Sequence, residues 1–179
     1  LNEAEVRFLA TGIAMSGGMV VASDNLPKVG EARRNMALAL FHSPGVAGEA
    51  YDVSDGPVPF AWRSDLGEGH ALVGFLNWGE TPRWVAAGEY LRPGEVAFDV
   101  WNGKVLGMGD TLLQPHEGRI WQVAARAKTP RVVGDSGSLT YAGLFQRQVS
   151  GRIQVRNDLA RTRVIAIEAR GQVFEAELE

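Results

Sequence analysis

Cysteine is absent from the 179 residues, which excludes disulfides and thiolate metal sites. Long apolar runs are absent too, and none reaches the ~20 residues of a bilayer span. No basic segment precedes an apolar stretch, so no signal peptide is visible. A cytoplasmic setting is the expectation from these three absences. Charge of one sign is not in excess: 18 Lys and Arg stand against 21 Asp and Glu, for a net charge of -3. The sequence pI is about 5.7. No basic field exists to draw nucleic acid or anionic lipid, so neither is an expected partner. The three histidines, His42, His70 and His116, show no metal-ligand spacing, and no His-Glu-x-x-His motif occurs. No metal or cofactor is expected. An initiating Met is also missing. Leu1 opens the chain, which reads as a piece of a longer protein.

What is present is ordinary globular composition, with 45% hydrophobic and 22% charged residues. Helical periodicity is confined to the first ~42 residues. Asn2 can cap a helix and Glu5 can close a capping box. Val6, Leu9 and Ile13 then recur at helical spacing, and Gly17-Gly18 stops the helix. Met19-Val20-Val21-Ala22 is a continuous apolar run that suits a strand buried on both faces. Pro27 suits the first turn of a second helix carrying Val29, Ala32, Met36 and Leu40 on one stripe. Helix–strand–helix with an apolar strand is the pattern of the end of a parallel (β/α)8 barrel.

After Phe41 the apolar period drops to two, and Gly and Pro punctuate the chain. Expected strands are 60–64, 71–78, 83–87, 96–101, 120–125, 131–133, 146–155, 163–169 and 172–178. Val96, Phe98 and Val100 share one face, with Trp101 on the other. Many short strands with such turns argue an antiparallel β-sandwich. Gly171 reads as the turn of a final hairpin. The fold class is therefore mainly β: a sandwich at 46–179 preceded by a barrel remnant at 1–45.

Several segments, in order, carry a family resemblance. They are Ser16–Leu26, Phe75-Leu76-Asn77-Trp78 followed by Thr81-Pro82, Phe98-Asp99-Val100-Trp101-Asn102-Gly103, and Leu113–Val123 with its Pro115-His116. Pro130–Gly137 adds a weaker likeness. Together they resemble the C-terminal region of the α-galactosidase-like glycoside hydrolases (melibiases). The resemblance implies a catalytic (β/α)8 barrel followed by a β-sandwich. It also implies that the family's two catalytic aspartates come from earlier barrel strands, upstream of Leu1. No residue of this chain inherits either role.

Candidate site residues follow. Asp24 would sit past the C-terminal end of the last barrel strand, the active face of such barrels. It reads either as a substrate-binding rim residue or as a cap for the next helix. Trp62, Trp84 and Trp121 are candidate sugar-stacking platforms, while Trp78 and Trp101, inside strand motifs, read as core. Ser136 in Gly134-Asp135-Ser136-Gly137 lacks the Gly-x-Ser-x-Gly elbow and reads as a turn. A retaining glycosidase needs two carboxyl groups ~5–5.5 Å apart. The acids Asp52, Asp55, Asp65, Glu68, Asp99, Asp110, Asp135 and Asp158 fall mostly in turns, and nothing selects a pair.

Two functions compete. One is an accessory, structural part of an α-galactosidase-like retaining hydrolase, without a catalytic pair of its own. Its partners would be the rest of the catalytic barrel and, for the parent, a galactose-containing oligosaccharide. The other is an autonomous carbohydrate-binding module using exposed Trp. The unpaired strand at Met19–Ala22 adds self-association, as a homo-oligomer, to the expectations.

Overall fold

The computed structural model describes every residue except Asp24, Asp52, Ser54, Asp55 and Met108. The first helix, α1, runs over Glu3–Ser16. Asn2 caps it through a reciprocal capping box with Glu5, and Gly17 ends it in the left-handed conformation, as the sequence pattern requires. The strand expected at Met19–Ala22 does not form: Met19 is 89% and Val21 73% exposed, and only Val20 packs on the core. A buried strand needs neighbours for its backbone groups, and no strand among the described residues pairs with this segment. Pro27 opens a single 3-10 turn, Leu26–Lys28, and the second helix, α2, begins only at Glu31, running to Leu40.

The strands are β1 (Glu49–Ala50), β2 (Ala61–Gly67), β3 (His70–Leu76), β4 (Arg83–Ala86), β5 (Glu95–Asp99), β6 (Lys104–Val105) and β7 (Asp110–Leu113). A short helix, α3 (Ala87–Tyr90), follows β4. The chain continues through β8 (Gly118–Ala125), β9 (Arg131–Asp135), β10 (Leu144–Val149), β11 (Arg152–Asn157), β12 (Arg163–Ala169) and β13 (Gln172–Leu178). Six strands form a central sheet in the order β1-β2-β3-β8-β5-β6. A three-stranded sheet, β13-β12-β9, and two ribbons, β4-β7 and β10-β11, complete the β structure, and every pairing is antiparallel. The mainly-β antiparallel class is the one the sequence indicates. One strand expected over 146–155 is instead the β10–β11 hairpin, turned at Ser150-Gly151, both at positive φ. The apolar alternation runs through this tight turn without a break, which is why period alone merges the two strands.

The central sheet is covered on both faces, giving two cores. Leu72, Phe98, Ile120 and Ala124 point to one side, where they meet Val133, Leu139 and Ala166 together with Ala14, Met15, Met36 and Leu40 of the helices. Val73, Phe75, Ala97, Trp121 and Val123 point to the other, against Val85, Ala87 and Leu113. This double cover explains why β3 is apolar at successive positions rather than alternating. Residues on both sides of the expected 45/46 boundary share the first core.

Helix α1 lies directly over β3 and β8 because the sheet offers it glycine. A Cβ on Gly118 would stand 2.6 Å from Arg7 O and Phe8 Cα, and one on Gly74 would stand 2.4 Å from Met15 Cγ. The helix answers with small buried residues, Ala10, Thr11 and Ala14. Trp101 completes the seat: its Nε1 donates to Thr11 Oγ1 at 2.9 Å, and its half-buried ring packs on the first core. Beneath the helix, Arg119 pairs with Asp99 at 2.7 Å and with Glu117, while Arg7 of α1 reaches Glu117 at 3.5 Å.

Candidate functional site

The residues singled out as sugar contacts do not converge. Asp24 lies outside the described residues. Trp121 is fully buried, its ring 4.5 Å from that of Phe75 inside the second core, so it has no face to offer a sugar. Trp62 is half-buried against the first core, on the opposite face of the central sheet. Trp84 is 64% exposed on β4, the one candidate of the three that presents a free ring. Trp78 corrects the core expectation: it is 48% exposed, held by a bond from its Nε1 to Pro59 O at 2.9 Å and by an edge contact with Phe8. Its motif marks the end of a strand, where period no longer fixes the side-chain direction.

Several of the candidate acids are spent on structure, while Glu68 and Asp110 are exposed. Asp99 and Glu117 are buried and share Arg119. Asp135 is fully buried with Arg163 at 2.6 Å. Asp65 lies 2.7 Å from Arg63 and 3.0 Å from Arg92. Burial works against the Asp65 charge, but the bonds from Arg63 and Arg92 prevail and hold its carboxyl below the usual range. On Arg63 burial likewise opposes the charge, and the bonds to Glu95 and Asp65 raise its pKa further. Asp158 is engaged by Arg156 at 2.8 Å. Asp52 and Asp55 lie outside the described residues. Ser136 sits at the end of β9, its hydroxyl accepting from Val164 N at 2.9 Å, with no histidine bonded to it among the described residues. No group of three or more His, Cys, Asp or Glu is placed to hold a metal among the described residues. None of the helices of these residues is long and apolar enough to cross a membrane.

The feature that stands out is an exposed apolar groove. Val6, Leu9 and Ile13 of α1, with Leu26, Val29 and Ala37, line an apolar groove of about 460 Å³ between the two helices. Leu9 is 50% and Ile13 42% exposed, and the exposed Met19 and Val21 follow directly on α1. The helical period that makes α1 read as amphipathic therefore serves two surfaces: Ala10, Ala14 and Met15 face the sheet, and Leu9 and Ile13 face outward.

No family model and no curated protein matches the sequence. Solved structures do match, at the level of fold. A β-L-arabinopyranosidase of glycoside hydrolase family 27 from Geobacillus stearothermophilus matches 71% of this chain and 32% of its own, with 18% identity and a TM-score of 0.56. α-Galactosidase I from Mortierella vinacea matches 71% and 37%, with 15% identity and a TM-score of 0.55. An isomalto-dextranase from Arthrobacter globiformis T6 matches 93% and 33%, with 18% identity and a TM-score of 0.51. At such identities the likeness is one of fold, and at that level it meets the resemblance carried by the sequence motifs. The chain spans about a third of the length of these structures.

Proposed function

We propose that this chain is the C-terminal part of an α-galactosidase-like retaining glycoside hydrolase, where it has a structural role and carries no catalytic pair. The observation that carries the reading is the outward apolar groove of α1 and α2. In this reading residues 1–45 are the terminal part of the catalytic barrel, and the rest of that barrel covers Leu9 and Ile13. Two facts support it. The aligned part spans only about a third of the matched structures, and the buried Asp99, Glu117 and Asp135 are committed to ion pairs. Substrate specificity for terminal α-galactosides belongs to the parent.

The test has two arms. The chain alone should show no turnover of an aryl α-galactoside above background. The double variant Leu9→Glu/Ile13→Glu, made in the complete enzyme, should lower its melting temperature and its recovered activity. Turnover by the purified chain that is lost on mutating one of its own acids would overturn the reading. So would a double variant that leaves the complete enzyme unchanged.

A second reading, a carbohydrate-binding surface, rests on the exposed ring of Trp84. It expects a saturable change of Trp fluorescence with galactose that Trp84→Ala abolishes. A flat titration up to molar sugar would remove it.

A further inference from the structure

The outer side of α2 faces a second concavity, separate from the apolar groove. Arg34, Asn35, Leu38, Phe41 and His42 recur at helical spacing, and the loop Leu159–Thr162 before β12 lies opposite them. Between the two is a cleft of about 480 Å³. This falls within the roughly 300–1,000 Å³ of small-molecule sites. One wall is apolar, formed by Leu38, Phe41 and Leu159. The other carries the guanidinium groups of Arg34 and Arg161, with the His42 ring beside them.

The positive charge at this wall is not neutralised. Arg161 donates to Gly137 O and, at 3.5 Å, to Asn35 O, both carbonyls. Neither Arg34 nor Arg161 has an ion pair among the described residues. Behind them Arg163 is already matched to Asp135. Among the described residues Glu31 is the one carboxylate that lines the cleft, and it pairs with neither arginine. Among the described residues, Arg161 Nε and His42 Nδ1 are buried atoms without a hydrogen-bond partner. Burial, and then the neighbouring Arg163, hold the Arg161 pKa down; burial, and then Arg161 and Arg163, do the same to His42. Desolvated positive charge facing a concavity, with donors to spare, is met most favourably by an oxyanion.

We propose that this cleft binds a small acidic ligand about the size of one sugar ring, its carboxylate or phosphate held by Arg34 and Arg161 and its body laid on Phe41 and Leu38. A guanidinium fork matches either group in bidentate fashion. A neutral sugar leaves the cationic wall unmatched and is excluded as the preferred ligand. The site stands on the opposite side of α2 from the apolar groove and does not depend on the barrel reading.

Titration calorimetry with galacturonate, galactose 6-phosphate, inorganic phosphate and galactose tests it, at ionic strength held constant with NaCl. Saturable binding is expected for at least one of the acidic sugars, and none for galactose. Binding of galacturonate alone assigns the site to a carboxylate, and of galactose 6-phosphate alone to a phosphate. Arg34→Gln and Arg161→Gln should each weaken binding about tenfold or more, the loss that removing a charged hydrogen bond brings. Arg34 makes no side-chain ion pair, so its variant keeps the fold even if that of Arg161 does not. The His42 ring resonances should shift on binding in the parent chain. Absence of saturation with both acidic sugars overturns the proposal. So does inorganic phosphate binding as tightly as either sugar, which marks an adventitious ion only. Affinity that is unchanged in Arg34→Gln overturns it as well.

Discussion

Replacing Gly118 by Ala should unseat α1. The new methyl carbon would lie 2.6 Å from Arg7 O and Phe8 Cα and 2.8 Å from Thr11 Oγ1. Carbon contacts are comfortable at about 3.5–4.0 Å, so the helix must lift by roughly 1 Å. Overpacking of this kind costs about 1–3 kcal/mol. The lift also stretches the 2.9 Å bond from Trp101 to Thr11, worth about 0.5–1.5 kcal/mol. A total of about 2–4 kcal/mol follows, which for a chain of this length is a fall of roughly 4–16 °C in Tm. Urea denaturation and thermal melting both read it. Gly88→Ala is the matched control, because a Cβ there meets nothing within 4 Å, and it should stay within about 1 kcal/mol of the parent chain. If Gly118→Ala melts with the parent, the close seating of α1 on the sheet is refuted.

Other expectations concern the buried charges and the histidines. Arg163→Met or Asp135→Leu alone should destabilise by about 3–5 kcal/mol, because each strands a buried charge, whereas the double variant should recover much of the loss; urea titration of all three decides, and losses that simply add would refute the pairing. Trp101→Ala should cost no more than about 3–5 kcal/mol, since the ring is half-buried, but more than Trp101→Phe; equal melting of the two would mean the ring contributes nothing. Burial first, and then neighbouring arginines, keep His42 and His70 below the ordinary 6.5 in the folded chain. The unfolded chain takes up those protons first, so the stability they supply is full above pH 6.5 and is lost as pH falls through their folded values. The His42→Gln/His70→Gln variant should flatten that slope in unfolding free energy, and an undiminished slope would refute the assignment.

The elements that local rules govern were legible. The capping box at Asn2 and Glu5, the stop at Gly17 and the turn at Gly171 are set by residues within a few positions of one another. So were strands whose alternation is bounded by Gly or Pro. What escaped depended on distant partners. Met19–Ala22 has the composition of a buried strand, but a strand exists only where another backbone lies beside it. Trp121 and Trp84 are the same residue type in similar strands, and only the covering of one by β4 and β7 and the outward turn of the other separates them. The cationic cleft joins Arg34 and Arg161, which are far apart in the chain, and no periodicity links them.

The glycine floor under α1 also bears on how such a unit can be exchanged between proteins. Small residues on the helix, Ala10, Thr11 and Ala14, fit only a sheet that carries glycine at 74 and 118, and the reverse holds as well. A change on one side is tolerated only with its match on the other, so the two surfaces are inherited together. A chimera joined at residue 45 would split this matched set, whereas one joined ahead of Asn2 would keep it whole. The transferable piece is the sandwich with its first helix attached.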